Sequence, residues 1–197
     1  MIIIGDVHSR IYKYLEILKF TYGEDTIQLG DFGFEYEHTW HEHLINPQYH
    51  KILFGNHDYL LNLHKDYALN YGMYKGIFVI RGAFSIDKRI RTVGLDWFPN
   101  EEIDYREWCD KVIPLYEKEK PEIVVSHDCP NIAREHFWNF QKQDRSTTSN
   151  GLQQCFEIHQ PRLWIFGHHH NPDIDVIENT KFVSLDKCEV FKIGGTT

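Results

Sequence analysis

The chain has 197 residues, 42% hydrophobic, 25% charged and 15% aromatic. That is the composition of a soluble globular domain and excludes disordered, collagen-like and coiled-coil chains. Its 21 Lys and Arg against 29 Asp and Glu leave a formal net charge of −8, which argues against a broad basic face that coats nucleic acid.

Ile2–Ile4 reads as a strand, and Ile11, Tyr14, Leu15 and Leu18 follow it at helical spacing. Residues 26–29 and 52–54 are further strand-like runs, with a helix expected between them over 36–45. Ile77–Ile80 and residues 90–95 read as strands. Residues 102–119 carry a helical pattern that Pro114 should kink or end. Residues 123–125 and Leu163–Phe166 are short buried-strand runs, and the polar stretch 141–150 (QKQDRSTTSN) is the most loop-like of the chain. Residues 182–185 and 190–193 suit a closing hairpin. No repeat or linker divides the chain, so one domain over 1–197 is expected. Strands near both ends and a mixed middle predict an α/β sandwich rather than a pure doubly wound sheet.

Apolar runs reach about four residues, against the roughly 20 that span a bilayer, so no membrane partner is expected. The start, Met1-Ile2-Ile3-Ile4-Gly5-Asp6, lacks a basic segment and does not read as a signal peptide. The cysteines at 109, 129, 155 and 188 form no CxxC pair. A reduced, cytoplasmic protein with free thiols is the expectation.

Five of the apolar runs end alike: in Gly5-Asp6-Val7-His8, Gly30-Asp31, Gly55-Asn56-His57-Asp58, Ser126-His127-Asp128 and Gly167-His168-His169-His170. In α/β sheets ligands bind beyond the carboxyl ends of the strands, so these tips should converge on one edge. They offer imidazole, carboxylate and one amide but no thiolate, a donor set for borderline divalent ions such as Mn, Fe, Zn or Ni. The donors are too many for one open catalytic ion and suffice for two ions that share a carboxylate. Two divalent ions outweigh the two aspartates, so the site would attract an anion inside an acidic protein.

The ordered set GDVH, GD, GNHD, H and GHHH resembles the calcineurin-like metallophosphoesterases, whose pattern is D-x-H, G-D, G-N-H-[DE], H, G-H-x-H, and it spans Asp6 to His170. Residues 82–97, with Cys129-Pro130, further resemble small bacterial and phage members. The resemblance implies a four-layer α/β/β/α sandwich and a phosphoesterase with two divalent transition-metal ions, manganese first among the candidates. It implies that Asp6, His8 and His170 bind one ion, that Asn56, His127 and His168 bind the other, and that Asp31 bridges both. His57 would be the general acid, protonating the leaving oxygen after attack by a metal-bridging hydroxide. The expected substrate is a small phosphodiester or nucleotide, with a short oligonucleotide as a further candidate.

The second block departs from GDxxDR of protein Ser/Thr phosphatases: Phe34 and Glu35 stand in place of the Asp and the phosphate-gripping Arg. Phe34 also stands where purple acid phosphatases carry an iron-binding Tyr. Arg89 and Arg91, with Lys88, are either surface charge or the compensating phosphate grip. Asp58 reads equally as an N-cap or as part of the site. His169 should point away from its ligand neighbours. His38, Trp40, His41 and His43 read as a solvated helix face, with a cleft wall as the alternative. Trp97, Phe98, Trp108, Phe137 and Trp138 read as core, although one could stack on a base. Two rivals stay open: a phosphomonoesterase, and an inactive interaction module of the same fold. A mononuclear Fe(II) oxygenase, built on two His and a carboxylate, leaves Asn56, His57 and the second ligand set unexplained.

Overall fold

The computed structural model describes residues 1–33, 46–59, 66–138 and 145–194. Strands β1 (Ile2–Ile4), β2 (Thr26–Gln28) and β3 (His50–Leu53) pair in parallel. Strand β4 (Ala68–Leu69) continues them in parallel, and β11 (Val190–Lys192) closes the far side antiparallel to β1. In the second sheet β6 (Ile77–Ile80), β7 (Ile123–Ser126), β8 (Leu163–Phe166) and β10 (Thr180–Ser184) run parallel. Its antiparallel edges are β5 (Tyr71–Tyr74) and β9 (Asp173–Ile177).

The inner strands β1, β6, β7 and β8 are buried on both faces because both faces are covered. Successive side chains of a strand point to opposite faces, and β1 shows the division. Ile2 and Ile4 pack outward on Ile11, Tyr14 and Leu18 of helix α1 (Ile11–Phe20), whereas Ile3 faces the other sheet. Between the sheets Ile3, Ile27, Leu29 and Leu53 meet Val79, Val125, Ile165 and Val183. On the outer face of the second sheet Phe78, Val124, Trp164 and Phe182 meet Trp108, Val112, Tyr116, Leu152 and Phe156. Tyr116 belongs to helix α3 (Ile113–Glu119); Leu152 and Phe156 belong to helix α5 (Thr147–Ile158), which follows α4 (Asn131–Trp138). The order helix, sheet, sheet, helix is the expected four-layer sandwich.

Three local expectations need correction. Residues 90–95 are not a strand. A 3₁₀ turn covers Lys88–Ile90, and Thr92 to Trp97 form a tight turn in which the Thr92 carbonyl accepts from Leu95, Asp96 and Trp97 amides. The apolar side chains there have no sheet to cover, and Ile90 is 86% exposed. Residues 182–185 and 190–193 are not a hairpin. Strand β10 takes β9 as its antiparallel partner, and the chain then crosses to the other sheet to place β11 beside β1. Pro114 does not end its helix but distorts it. A short helix, α2 (Tyr105–Glu107), runs into a π-helical turn over Trp108–Val112, and Pro114 falls in the first turn of α3. The i→i−5 turn directly before Pro114 is the local distortion by which a helix accommodates an internal proline. The loop expected over 141–150 is in part helix, since α5 begins at Thr147 with Ser146 as its N-cap, accepting from the Ser149 amide. The expected helix at 36–45, with His38, Trp40, His41 and His43, lies outside the described residues.

Candidate metal centre

The carboxyl ends of β1, β2, β3, β7 and β8 meet at one edge of the two sheets, and the polar motif residues follow directly on them. Four candidate ligands have left-handed backbone: His8 at φ 45°, Asp31 at 50°, His168 at 63° and His170 at 49°. Such conformations cost of order 1–3 kcal/mol each in non-glycine residues and persist only where the surroundings enforce them. The chain thus turns sharply off each strand and aims these side chains back across the edge. Glycine at 55 and 167 answers a different need. A Cβ at Gly55 would stand 2.1 Å from Asp31 Oδ1, and one at Gly167 would stand 2.2 Å from Asp6 Oδ1.

Two groups of donors share Asp31: Asp6, His8, Asp31 and His170, and Asp31, His127 and His168; a third, Asp128, Cys129 and His169, stands apart from that aspartate. Within each group the ligand atoms lie within 4.8 Å of one another. Ligands around one ion, each at about 2.1 Å, stand at most about 4.2 Å apart, so both groups fit an ion after small adjustments. In the first, His170 Nε2 lies 2.8 Å from both His8 Nε2 and Asp6 Oδ2. Asp31 belongs to both groups: its Oδ2 is 3.5 Å from His8 Nε2 and its Oδ1 is 3.5 Å from His127 Nε2. Asn56 joins the second group, with its Oδ1 3.2 Å from His127 Nε2. His127 donates from Nδ1 to the Leu29 carbonyl at 2.8 Å, which leaves Nε2 facing the cluster with its lone pair.

The electrostatics point the same way. Burial pushes the Asp6 carboxyl up, but His127, His170 and His8 outweigh it and hold the group below the usual carboxylate range. Burial pushes His8 and His127 down, yet Asp31 and Asp6 pull both above the ordinary imidazole value. Burial takes His168 down to about 3, so its ring is a neutral donor. Buried carboxylates here demand positive charge between them, which is the environment a cation satisfies.

His57 stands at the mouth of the cleft. Its amide donates to Asp31 Oδ1 at 2.9 Å, and its ring contacts the Arg91 guanidinium, with Nδ1 2.7 Å from Nη1. Burial lowers its pKa against the pull of Asp31, and Arg91 lowers it further. Arg91 is held by Asp87 at 2.7 Å and donates to the Asp96 carbonyl at 2.9 Å. A cavity of about 260 Å³ opens here, lined by Asn56, His57, Phe84, Arg91 and His168 among others. The structure thus brings Arg91 to the cleft, whereas Arg89 lines a neighbouring cavity with Lys88 and Arg145. A larger cavity of about 510 Å³, lined by Trp108, Ile113 and Gly151, holds none of the candidate ligands.

The residues that Asp58 could cap, 60–65, lie outside the described residues. Asp58 is buried and accepts from the amides of Phe32, Gly33 and Gly55, so it ties the second motif to the third. His169 turns away from the cluster onto Asp128 at 3.0 Å, with its ring centroid 4.4 Å from that of Trp138. Phe98 and Trp108 are core, and Phe137 and Trp138 pack against it. The sequence reading missed Ser85 and Glu101. Asn56 Nδ2 donates to Ser85 Oγ at 3.0 Å, and Ser85 Oγ donates to the buried Glu101 at 2.5 Å. This relay turns the amide oxygen of Asn56 toward the metal donors. No spacing links residues 56, 85 and 101, so only the pairing of Asn56 with an unassigned buried carboxylate could have hinted at it.

A four-layer sandwich with two cation-ready donor groups sharing one aspartate at its strand ends is the architecture of a metal-dependent hydrolase. The family model for the calcineurin-like phosphoesterases matches residues 1–172, and the chain belongs to that family. It is accordingly a metal-dependent phosphoester hydrolase. Among solved structures it is similar to a conserved uncharacterised protein, a predicted phosphoesterase, from Streptococcus pneumoniae. The two share 9% identity over 94% of this chain and 72% of that one, with a TM-score of 0.40. It is also similar to the phosphopantetheinyl hydrolase of Mycobacterium tuberculosis, at 13% identity, 94% and 89% coverage and a TM-score of 0.48. No curated protein matches it. Among the described residues no helix is long and apolar enough to cross a membrane.

Proposed function

We propose that the chain, as one domain over 1–197, hydrolyses small phosphodiesters or nucleotide-type phosphoesters in the cytoplasm, using two divalent transition-metal ions. Asp6, His8 and His170 would hold one ion and Asn56, His127 and His168 the other, with Asp31 on both. The observation that carries this reading is the placement of Asp31, one carboxylate oxygen toward each donor group. The imidazole, carboxylate and amide donors suit manganese, with iron, zinc or nickel as alternatives. The ions, when bound, supply Lewis acidity toward the phosphoryl oxygens and lower the pKa of water.

The chain's own groups do the rest. Asp6 and Asp31 set the charge of the centre, and the Glu101–Ser85 relay orients Asn56. His57 faces the open side and donates a proton to the leaving oxygen. An anion arriving beside Arg91 draws the guanidinium toward itself and relieves the cationic pressure on His57, which favours the protonated ring. Arg91 also supports the second reading, a phosphomonoesterase, because a guanidinium can grip the extra charge of a dianion.

The deciding measurement compares kcat/KM for bis-p-nitrophenyl phosphate and p-nitrophenyl phosphate with Mn²⁺. A preference for the diester is expected. Preference for the monoester overturns the diesterase reading in favour of the phosphatase, and no turnover of either favours an inactive interaction module.

A further inference from the structure

Across Phe84 and Ile86 from the catalytic cleft lies a second cavity of about 420 Å³, whose remaining lining residues are Lys88, Arg89 and Arg145. Three of its five lining residues are cations in a chain of net charge −8. Arg91, next door, is neutralised by Asp87, whereas among the described residues no carboxylate pairs with Lys88, Arg89 or Arg145.

The placement of Lys88 needs no counter-ion among the described residues. The Lys88 ammonium stands 4.2 Å from the ring centroid of Phe84 and 5.7 Å from that of Trp97. Ring faces attract an ammonium without taking its charge. The 3₁₀ turn at Lys88–Ile90 carries Lys88 and Arg89 to the cavity. Arg145 comes from a distant part of the chain. It precedes the Ser146 cap, whose hydroxyl is anchored to Glu102 at 2.7 Å. Two separately fixed segments thus bring cations together against their mutual repulsion, which an anion between them would offset.

We infer that this cavity is a second phosphate subsite: the substrate carries, beside the ester that is cleaved, another phosphate that Lys88, Arg89 and Arg145 hold. Phe84 and Ile86, which line both cavities, offer the apolar wall along which the substrate runs from one phosphate to the other. The inference rests on the Asp6–His170 cluster being the hydrolytic centre. It narrows the substrate class to nucleotides with a second phosphate, either on the far side of the sugar or in anhydride linkage.

The test is equilibrium binding to the Mn²⁺-loaded full chain, by calorimetry, of thymidine 5′-monophosphate, thymidine 3′,5′-bisphosphate and thymidine 5′-diphosphate. Charge-assisted hydrogen bonds to the second phosphate should tighten at least one of the last two by roughly tenfold to a hundredfold. The gain should shrink as salt rises. In the triple variant Lys88→Gln, Arg89→Gln, Arg145→Gln the gain should collapse toward onefold. The three side chains are not in the core, so circular dichroism should show an unchanged fold; single variants, each losing part of the gain, serve if it does not. Equal binding of all three ligands, or a gain that survives in the variants because the metal ions alone supply it, overturns the inference. Binding does not depend on turnover. A protein that binds the bisphosphate tightly but cleaves neither p-nitrophenyl reporter refutes the hydrolytic reading and leaves the phosphate subsite standing.

Discussion

Replacing Gly55 with alanine tests the geometry of the centre most sharply. The new Cβ would lie 2.1 Å from Asp31 Oδ1, 2.4 Å from the Asp31 amide nitrogen and 2.7 Å from His127 Cε1. Ordinary contact begins at 3.4 Å, so the carboxylate oxygen must retreat by about 3.4 − 2.1 = 1.3 Å. The Asp31 backbone is itself in the way, and a rotamer change alone cannot relieve the clash. Asp31 serves both donor groups, so both ions should be affected at once. A displacement of about 1 Å in a catalytic constellation costs on the order of 10²-fold in rate, and a loss of at least that size in kcat/KM is expected. Elemental analysis after reconstitution should find well below two Mn per chain, while circular dichroism should show a folded protein. Gly194→Ala, where a Cβ meets nothing within 4 Å, is the control. A folded Gly55→Ala protein with full metal content and activity within twofold of wild type would refute the reasoning.

Asp31→Asn keeps the shape of the side chain but removes the shared charge, so titration calorimetry should show both metal affinities falling together; one site left at full affinity would contradict a bridging role. His57→Ala should lower turnover by about 10²–10⁴ with metal content retained, and by less for p-nitrophenyl esters, whose leaving group scarcely needs a proton. Loss of metal in that variant would make His57 a ligand instead. A fourth outcome concerns pH. Burial lowers the pKa of His50, whose Nδ1 meets Thr26 Oγ1 at 2.8 Å. The unfolded chain therefore binds more protons below about pH 6.5. The contribution of His50 is present above that pH and is lost as pH falls, so His50→Gln should flatten the urea-measured stability between pH 7 and pH 5. An unchanged slope would contradict it.

The site was far more legible in the sequence than its supports. Each donor follows closely on a strand and carries its chemistry in its residue type, so the five tips stood out from local order, and the resemblance of the ordered blocks to a known family picked Asp6, His8, Asp31, Asn56, His127, His168 and His170 from them. The structure groups Asp6, His8, Asp31 and His170 together, and Asp31, His127 and His168 together. The supports join segments distant in sequence. Asp58 gathers amides from the loops after β2 and β3, and Asn56 leans on Ser85 and Glu101. Neither arrangement has a spacing to recognise. The apolar residues of 90–95 mimic a strand, but a strand needs a neighbour. Asp96 instead accepts from the Thr92 amide and closes a turn. Strand β9 failed to register because four of its five residues are exposed, so its identity comes from pairing with β10 rather than from burial.

The last strand has a bearing on how the protein is made. The backbone carbonyl of Asp6 accepts from the Cys188 amide, the Gly5 amide donates to Glu189, and the Asp6 carboxylate accepts from the His168 amide. Asp6 is the first of the candidate ligands to be made, yet the His168 and Cys188 amides that fix it lie 162 residues or more further along the chain. Domains assemble from the N-terminus outward during synthesis, but this centre cannot be completed in that direction. A chain cut before residue 168 would therefore carry Asp6, His8 and Asp31 without the His168 amide and the His168 and His170 rings that complete the two donor groups.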